Sequence, residues 1–184
     1  AIKGDLFIEN AKGYVLSRNS YLKNENIFYE KEQYKQLINN FDVVFFRPDP
    51  PVDINYINAC YVFDFVDREK TLLINDPSEV KNFNEKFHIN YYPEFVPENI
   101  VTNNAELIMN FISEKEEAIL KPLNRCFGSG VYYLNKDDKN ILTIINNMTE
   151  DGTVQVIVQE YLPAAEYGDK QSSVLDITYK KPTI

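Results

Sequence analysis

A mixed α/β protein, with a parallel strand–helix–strand–helix unit followed by a separate α+β block, is the fold class this sequence predicts. Three observations carry it. Two short apolar runs, Phe41 to Arg47 and Thr71 to Asn75, flank a segment of helical period. Prolines and acidic residues interrupt the pattern between Pro93 and Pro97. Beyond that break, helical segments alternate with strand-like runs that a glycine-bearing turn connects.

Taken in order, Asp5 to Arg18 reads as a small hairpin, DLFIEN and GYVLSR split at Ala11-Lys12. Phe41 to Arg47 is continuously apolar and closes on Pro48-Asp49-Pro50-Pro51, the pattern of a strand buried on both faces that ends in a rigid turn. Asp53 then caps a helix whose inner face is predicted at Ile54, Ile57, Tyr61 and Phe65, with Asp64, Asp67 and Arg68 on the wet side. A second strand buried on both faces follows at Thr71 to Asn75, and Asp76-Pro77 opens a helix predicted to carry Lys86. In such a unit ligands bind beyond the carboxyl ends of the strands, here at Arg47 and Asn75.

After the break at Pro93, the strand Ile100 to Thr102 leads to a helix over Asn104 to Lys115 and a strand Ala118 to Lys121. A turn with Gly128 and Gly130 then joins a strand Val131 to Leu134, a helix Asp138 to Met148 and a strand Val154 to Gln159. No repeat or low-complexity tract interrupts this order.

Composition excludes several classes of function. With 184 residues and 44% hydrophobic positions the chain can bury a core in one large or two small domains. A net charge of -9 argues against nucleic acid as a partner, because that affinity comes from Lys and Arg displacing counterions. No apolar run reaches membrane-spanning length. Cys60 and Cys126 lack metal spacing and fit a reducing, cytoplasmic compartment. His88 is the single histidine, which rules out a two-histidine metal site. Tyr91, Tyr92, Tyr132 and Tyr133 are expected in the core or at its rim.

Lys121 ends a predicted strand and leads into Pro-Leu-Asn-Arg-Cys-Phe-Gly-Ser-Gly, a loop able to bring backbone N–H groups and one ammonium against a phosphate. No Gly-Lys-Ser/Thr follows, so it is not a Walker A loop, and by spacing alone an ordinary hairpin turn accounts for the same residues. Likewise Lys86 alone reads as a solvated lysine. Gln159-Glu-Tyr-Leu-Pro163, a strand running into a proline-ended connector, completes the set.

Together these stretches resemble, in colinear order from about Gly4 to Lys170, the prokaryotic glutathione synthetase family of ATP-grasp ligases. Arg47-Pro-Asp-Pro-Pro-Val-Asp53 is similar to the family's R-x-D-P-P-x-D segment, and Asn75-Asp-Pro77 with Asn84-Glu-Lys86 to its N-x-P…x-E-K segment. Ile119 to Leu123 resembles the strand that brings in a second ATP lysine, and Val158 to Pro163 with Gly168-Asp-Lys170 the hinge after it.

The resemblance implies a partial Rossmann-like parallel βαβ domain, here 1–92, that serves the substrate. The N-terminal α+β lobe of an ATP-grasp module, 93–170, follows, and then a non-matching tail, 171–184. It implies that Lys86 and Lys121 offset the ATP phosphates, that Gly128, Ser129 and Gly130 belong to the phosphate loop, that Gln159 is also ATP-binding, and that the backbone of Glu160, Tyr161 and Leu162 pairs with the adenine edge. Asp169 is implied near the nucleoside and Arg47 toward the peptide substrate. The implied reaction is ATP-dependent joining of γ-glutamylcysteine to glycine through an acyl phosphate, with magnesium bridging the phosphates. The implied assembly is a homo-oligomer.

Arg125 and Phe127 stand where the family's phosphate loop is richer in glycine, and Gln171 where it has arginine. Both ends of the family pattern lie outside this sequence, so the magnesium ligands are expected in a C-terminal part not included and exposed apolar surface is expected. No catalytic residue is therefore assigned. A nucleotide-binding remnant without turnover and an ATP-grasp ligase acting on another carboxylate and amine are the alternative readings.

Overall fold

Asn10 and Ala11 both adopt left-handed backbone, φ 51° and 56°, as a two-residue hairpin turn requires. In the computed structural model, which describes residues 5–49, 51–125 and 128–166, they join β1 (Leu6–Glu9) to β2 (Lys12–Ser17). This is the predicted hairpin. β3 (Ser20–Lys23) and β4 (Asn26–Tyr29) form a second hairpin on their own, and β5 (Tyr34–Leu37) pairs with the other edge of β2. The sequence reading assigned nothing to these three strands, whose alternation is too short and too exposed to register as a period. The chain divides into two units after Glu85; the sequence reading put the change at Pro93.

In the first unit β6 (Val43–Phe45) and β7 (Leu72–Ile74) lie parallel, Val43 opposite Leu72 and Phe45 opposite Ile74. The crossover between them is α1 (Ile54–Val62), and α2 (Pro77–Asn82) follows β7. The Asp53 carboxylate accepts the Tyr56 N–H at 2.9 Å and that of Asp76 accepts the Ser78 N–H at 2.8 Å, so both predicted caps form. Arg68 also pairs with Asp76 at 2.5 Å; it and the backbone N–H of Ser78 hold the carboxyl below its ordinary range.

Three expectations are corrected here. The strands are not buried on both faces: Val44, Phe46 and Leu73 turn inward, whereas Phe45 is 67% and Leu72 57% exposed. A parallel pair requires cover on both sides, and among the described residues only one side has it. Second, α1 buries Tyr56, Ala59, Cys60 and Val62, while Ile54, Tyr61 and Phe65 face outward. The segment is apolar nearly all round, so periodicity left its phase undetermined. Packing sets it: Phe46 meets Tyr56 and Phe63 edge-on at 5.6 and 5.1 Å between ring centroids. The last turn of α1 also presses on β2 where Gly13 leaves room, since a Cβ there would lie 3.1 Å from the Val62 carbonyl oxygen. Third, the helix opened by Asp76 ends at Asn82, Phe83 turning to an extended backbone, and Lys86 sits on the separate one-turn α3 (Glu85–His88).

The second unit is a four-stranded antiparallel sheet in the order β10-β9-β11-β8. Its strands are β8 (Asn99–Thr102), β9 (Glu117–Pro122), β10 (Tyr132–Asn135) and β11 (Val156–Glu160). Asn104 caps α4 (Ala105–Lys115) by accepting the N–H groups of Glu106 and Leu107 at 2.9 and 3.1 Å. α4 turns Ile108 and Ile112 inward, and α5 (Ile141–Thr149) turns Ile141 and Ile145 inward. Both meet Ala118, Leu120, Leu134, Val156 and Val158 on one face of the sheet. Each fully buried aliphatic side chain there contributes about 1.5–3 kcal/mol relative to exposure. Tyr91, Tyr92, Tyr132 and Tyr133, expected in or around the core, are exposed.

Candidate functional site

Strand alternation puts the other face of this sheet to use. Because Ala118 and Leu120 point into the core, Glu117, Ile119 and Lys121 must point away from it, and so must Ile157 and Gln159 of β11. In the register Lys121 stands opposite Ile157 and Ile119 opposite Gln159. Lys121 and Gln159 are therefore diagonal neighbours on one face, a separation long side chains span. The Lys121 ammonium donates to Gln159 Oε1 at 2.7 Å. Burial first, and the positive charge of Lys86 second, hold this ammonium below the ordinary lysine range. Its partner is a neutral amide, which orients the charge without cancelling it. A desolvated cation with a second cation beside it makes a locally positive surface that attracts anions.

Lys86 donates from Nζ to the backbone carbonyl of Arg125, so α3 and the loop after β9 are tied together. Gly128 and Gly130 turn that loop with φ of 70° and 75°, a backbone region where glycine alone carries no steric cost. The Val131 N–H closes the turn on the Gly128 carbonyl at 3.3 Å, with Ser129 exposed between the glycines. Predicted residues Lys86, Lys121, Gly128, Ser129 and Gly130 thus lie on elements that are directly linked.

At the far end of β11 the Glu160 N–H is committed to the Glu98 carbonyl at 2.9 Å and the Tyr161 N–H to the Glu117 carbonyl at 3.3 Å. Of Glu160, Tyr161 and Leu162, whose backbone is expected at the adenine edge, only Leu162 keeps an N–H without an acceptor among the described residues. Sequence reasoning missed two supports of this corner. Tyr133 donates its hydroxyl to Glu117 and packs edge-on against Tyr161 at 5.0 Å. Asn99, opposite Gln159 in the register, has a buried Oδ1 with no hydrogen-bond partner among the described residues. Neither has a sequence signature, since both depend on which strands become neighbours.

Arg47 is exposed just beyond β6 and lines a first-unit cavity of about 570 Å³ together with Ser17, Ser20, Phe46 and Pro48. Asn75 reaches back from β7 to the Phe46 carbonyl at 3.4 Å. Asp169, the Gly168-Asp-Lys170 segment, Cys126 and Phe127 lie outside the described residues. Among the described residues no group of three or more His, Cys, Asp or Glu side chains could hold a metal ion, and no helix is long and apolar enough to cross a membrane.

A parallel βαβ unit followed by an antiparallel sheet with helices on one face and a half-buried lysine on the other defines the class: a mixed α/β N-terminal unit leading into part of an ATP-grasp module. Residues 2–81 match the prokaryotic glutathione synthetase N-terminal domain and residues 85–179 the prokaryotic glutathione synthetase ATP-grasp domain. The chain belongs to the prokaryotic glutathione synthetase family. It is 39% identical over 139 residues to the glutathione synthetase of Nostoc sp., covering 76% of this chain and 43% of that protein. It is 31% identical over 174 residues to that of Buchnera aphidicola subsp. Schizaphis graminum, covering 94% and 54%. The chain thus spans about half the length of the curated relatives it matches. Among solved structures, D-cycloserine synthetase superposes with a TM-score of 0.52 at 17% identity over 69% of this chain and 46% of that one. D-alanyl-alanine synthetase A from Vibrio cholerae gives 0.50 at 15% identity over 85% and 48%. At such identities these two speak for the fold alone.

Proposed function

We propose that the chain is the substrate-domain and first nucleotide-lobe portion of a cytoplasmic glutathione synthetase, which joins γ-glutamylcysteine to glycine at the expense of ATP. The observation that carries this reading is the desolvated Lys121 ammonium, oriented by Gln159 and adjacent to Lys86, on the face of the sheet opposite α4 and α5. In this reading both lysines meet ATP phosphate oxygens, and the turn through Gly128, Ser129 and Gly130 passes beside them. Gln159, which orients Lys121, and Glu160, Tyr161 and Leu162 border the nucleotide, with the Leu162 N–H the donor to the adenine edge. The unpartnered Asn99 Oδ1 is an acceptor of the kind an exocyclic amine satisfies. Arg47 faces the peptide substrate, and Asp169 is assigned near the nucleoside by family resemblance.

The γ-phosphoryl group passes to the C-terminal carboxylate of γ-glutamylcysteine, releasing ADP. The amine of glycine then attacks the acyl carbon, phosphate leaves and the amide bond forms. The residues described here bind and orient ATP for the first step; they supply neither the acid–base group nor the transferring-phosphoryl clamp. Magnesium would supply charge neutralisation at the phosphates. Among the described residues no group of three or more His, Cys, Asp or Glu side chains is placed to hold it.

Calorimetric titration with ATP, with and without magnesium, tests the reading, followed by phosphate release with γ-glutamylcysteine and glycine. Binding that Lys121→Met abolishes supports it. Absence of ATP binding under both conditions would sink it.

A further inference from the structure

Where β11 ends, the hinge is held from the side by the same sheet face that carries Lys121. Leu134 points into the core, so Tyr133, its neighbour on the edge strand β10, stands on the face of Glu117 and Lys121. The register sets Tyr133 opposite Ile119 and Asn135 opposite Glu117, which makes Tyr133 and Glu117 diagonal neighbours. The Tyr133 hydroxyl donates to a Glu117 carboxylate oxygen, and its ring meets that of Tyr161 edge-on at 5.0 Å. Glu117 also holds Tyr161 directly, its backbone carbonyl accepting the Tyr161 N–H at 3.3 Å. Three contacts thus close a triangle around the first residue past β11. Core packing does not account for it: Tyr133 is 49% exposed, and none of the three residues belongs to the buried cluster under α4 and α5. The peptide group that follows Tyr161 carries the N–H of Leu162, which has no acceptor among the described residues.

We infer that Tyr133 and Glu117 are positioning residues for the base: they brace Tyr161 and, through the planar Tyr161–Leu162 peptide, set where the Leu162 N–H points. This inference rests on the nucleotide reading above and adds to it the origin of base selectivity. N1 of adenine is an acceptor and pairs with a fixed N–H donor. N1 of guanine carries a proton, so the same donor would face another donor and both would stay unpaired. A hydrogen-bonding group held in place rejects such a partner, whereas one free to turn away does not. Lys121 takes its orientation from Gln159 and not from this triangle, so the brace acts on the base and leaves the phosphates to the lysines.

The test is calorimetric titration of the 184-residue chain with ATP, GTP and inorganic tripolyphosphate in the presence of magnesium. Wild type is compared with Tyr133→Ala, Tyr133→Phe, Glu117→Ala and Glu117→Gln, each also followed through thermal unfolding. Tyr133→Ala is expected to weaken ATP roughly tenfold, to narrow the preference for ATP over GTP, and to leave tripolyphosphate at wild-type affinity. Tyr133→Phe keeps the ring contact and loses the bond to Glu117, and should fall between wild type and Tyr133→Ala. Glu117→Gln, whose amide oxygen still accepts the hydroxyl, should recover most of what Glu117→Ala loses. A preference for ATP over GTP that is unchanged in Tyr133→Ala overturns the brace. Equal weakening of ATP and tripolyphosphate also overturns it, because a general loss of structure would then be at fault. If wild type binds tripolyphosphate but does not prefer ATP to GTP, this inference falls while the lysines keep their anion. If wild type binds none of the three, the nucleotide reading falls and this inference with it.

Discussion

The two units solve the covering of a sheet in opposite ways. In the second unit the antiparallel strands need helices on one face only, and α4 and α5 supply them; Ile108, Leu120, Leu134 and Val158 have no exposed surface. The opposite face is where Lys121 and Gln159 are held, so that the unit's polar chemistry lies on a sheet whose core is already complete. The first unit has a parallel pair, which calls for cover on both faces. α1 covers one, and Val43, Phe45, Leu72 and Ile74 leave the other apolar and exposed among the described residues. The second unit's face away from its helices thus holds a largely buried lysine–glutamine pair, whereas the first unit's face away from α1 is apolar and exposed among the described residues.

This contrast can be broken first by truncating one leucine in each unit. Leu120→Ala should cost about 2–5 kcal/mol, by lost burial and the cavity left behind, whereas Leu72→Ala, on the open face, should cost under about 1 kcal/mol. Urea unfolding followed by hydrogen exchange in each unit reads both, and an equal cost would mean that the first face is covered in solution. Next in size is the site itself. Lys121→Met should cost ATP about 1.5–3 kcal/mol of binding.

The pH dependence of ATP binding sharpens that assignment. Lys121 loses its proton at lower pH than an ordinary lysine, and only its charged form attracts phosphate. Wild-type affinity should therefore decline as pH rises, beginning below the ordinary value of about 10.4, with proton uptake on binding in that window. Lys121→Arg, charged throughout, should show no such decline, and an identical profile would assign the titration elsewhere. Asn104→Ala should remove about 1 kcal/mol through the α4 cap, seen in thermal unfolding. Smallest in stability is Phe45→Ser, within about 0.5 kcal/mol of wild type. In sedimentation, however, it should reduce self-association if the apolar face is sticky.

Much of this organisation was legible along the chain. Both caps, Asp53 and Asp76, follow from local chemistry, as does the parallel β6-α1-β7-α2 order, because side-chain-to-backbone bonds and βαβ connections are set by neighbours in sequence. The colinear motifs placed Lys86, Lys121 and the hinge in one family pattern. The phase of α1 was not legible, since Ile54, Tyr56, Ile57, Ala59, Tyr61 and Val62 offer two apolar stripes, and the choice between them belongs to Phe46 and Gly13. Nor was the end of α2, where Phe83 breaks the helix before Lys86.

Residue types, their order and the family therefore came from the sequence, because short-range preferences and motif spacing are written in contiguous residues. The Lys121–Gln159 contact, the Lys86 tie to the loop and the support of Tyr161 by Tyr133 came from the three-dimensional pairing. Such contacts join residues far apart in the chain. A strand's register determines which side chains share a face, and that register is a property of the assembled sheet.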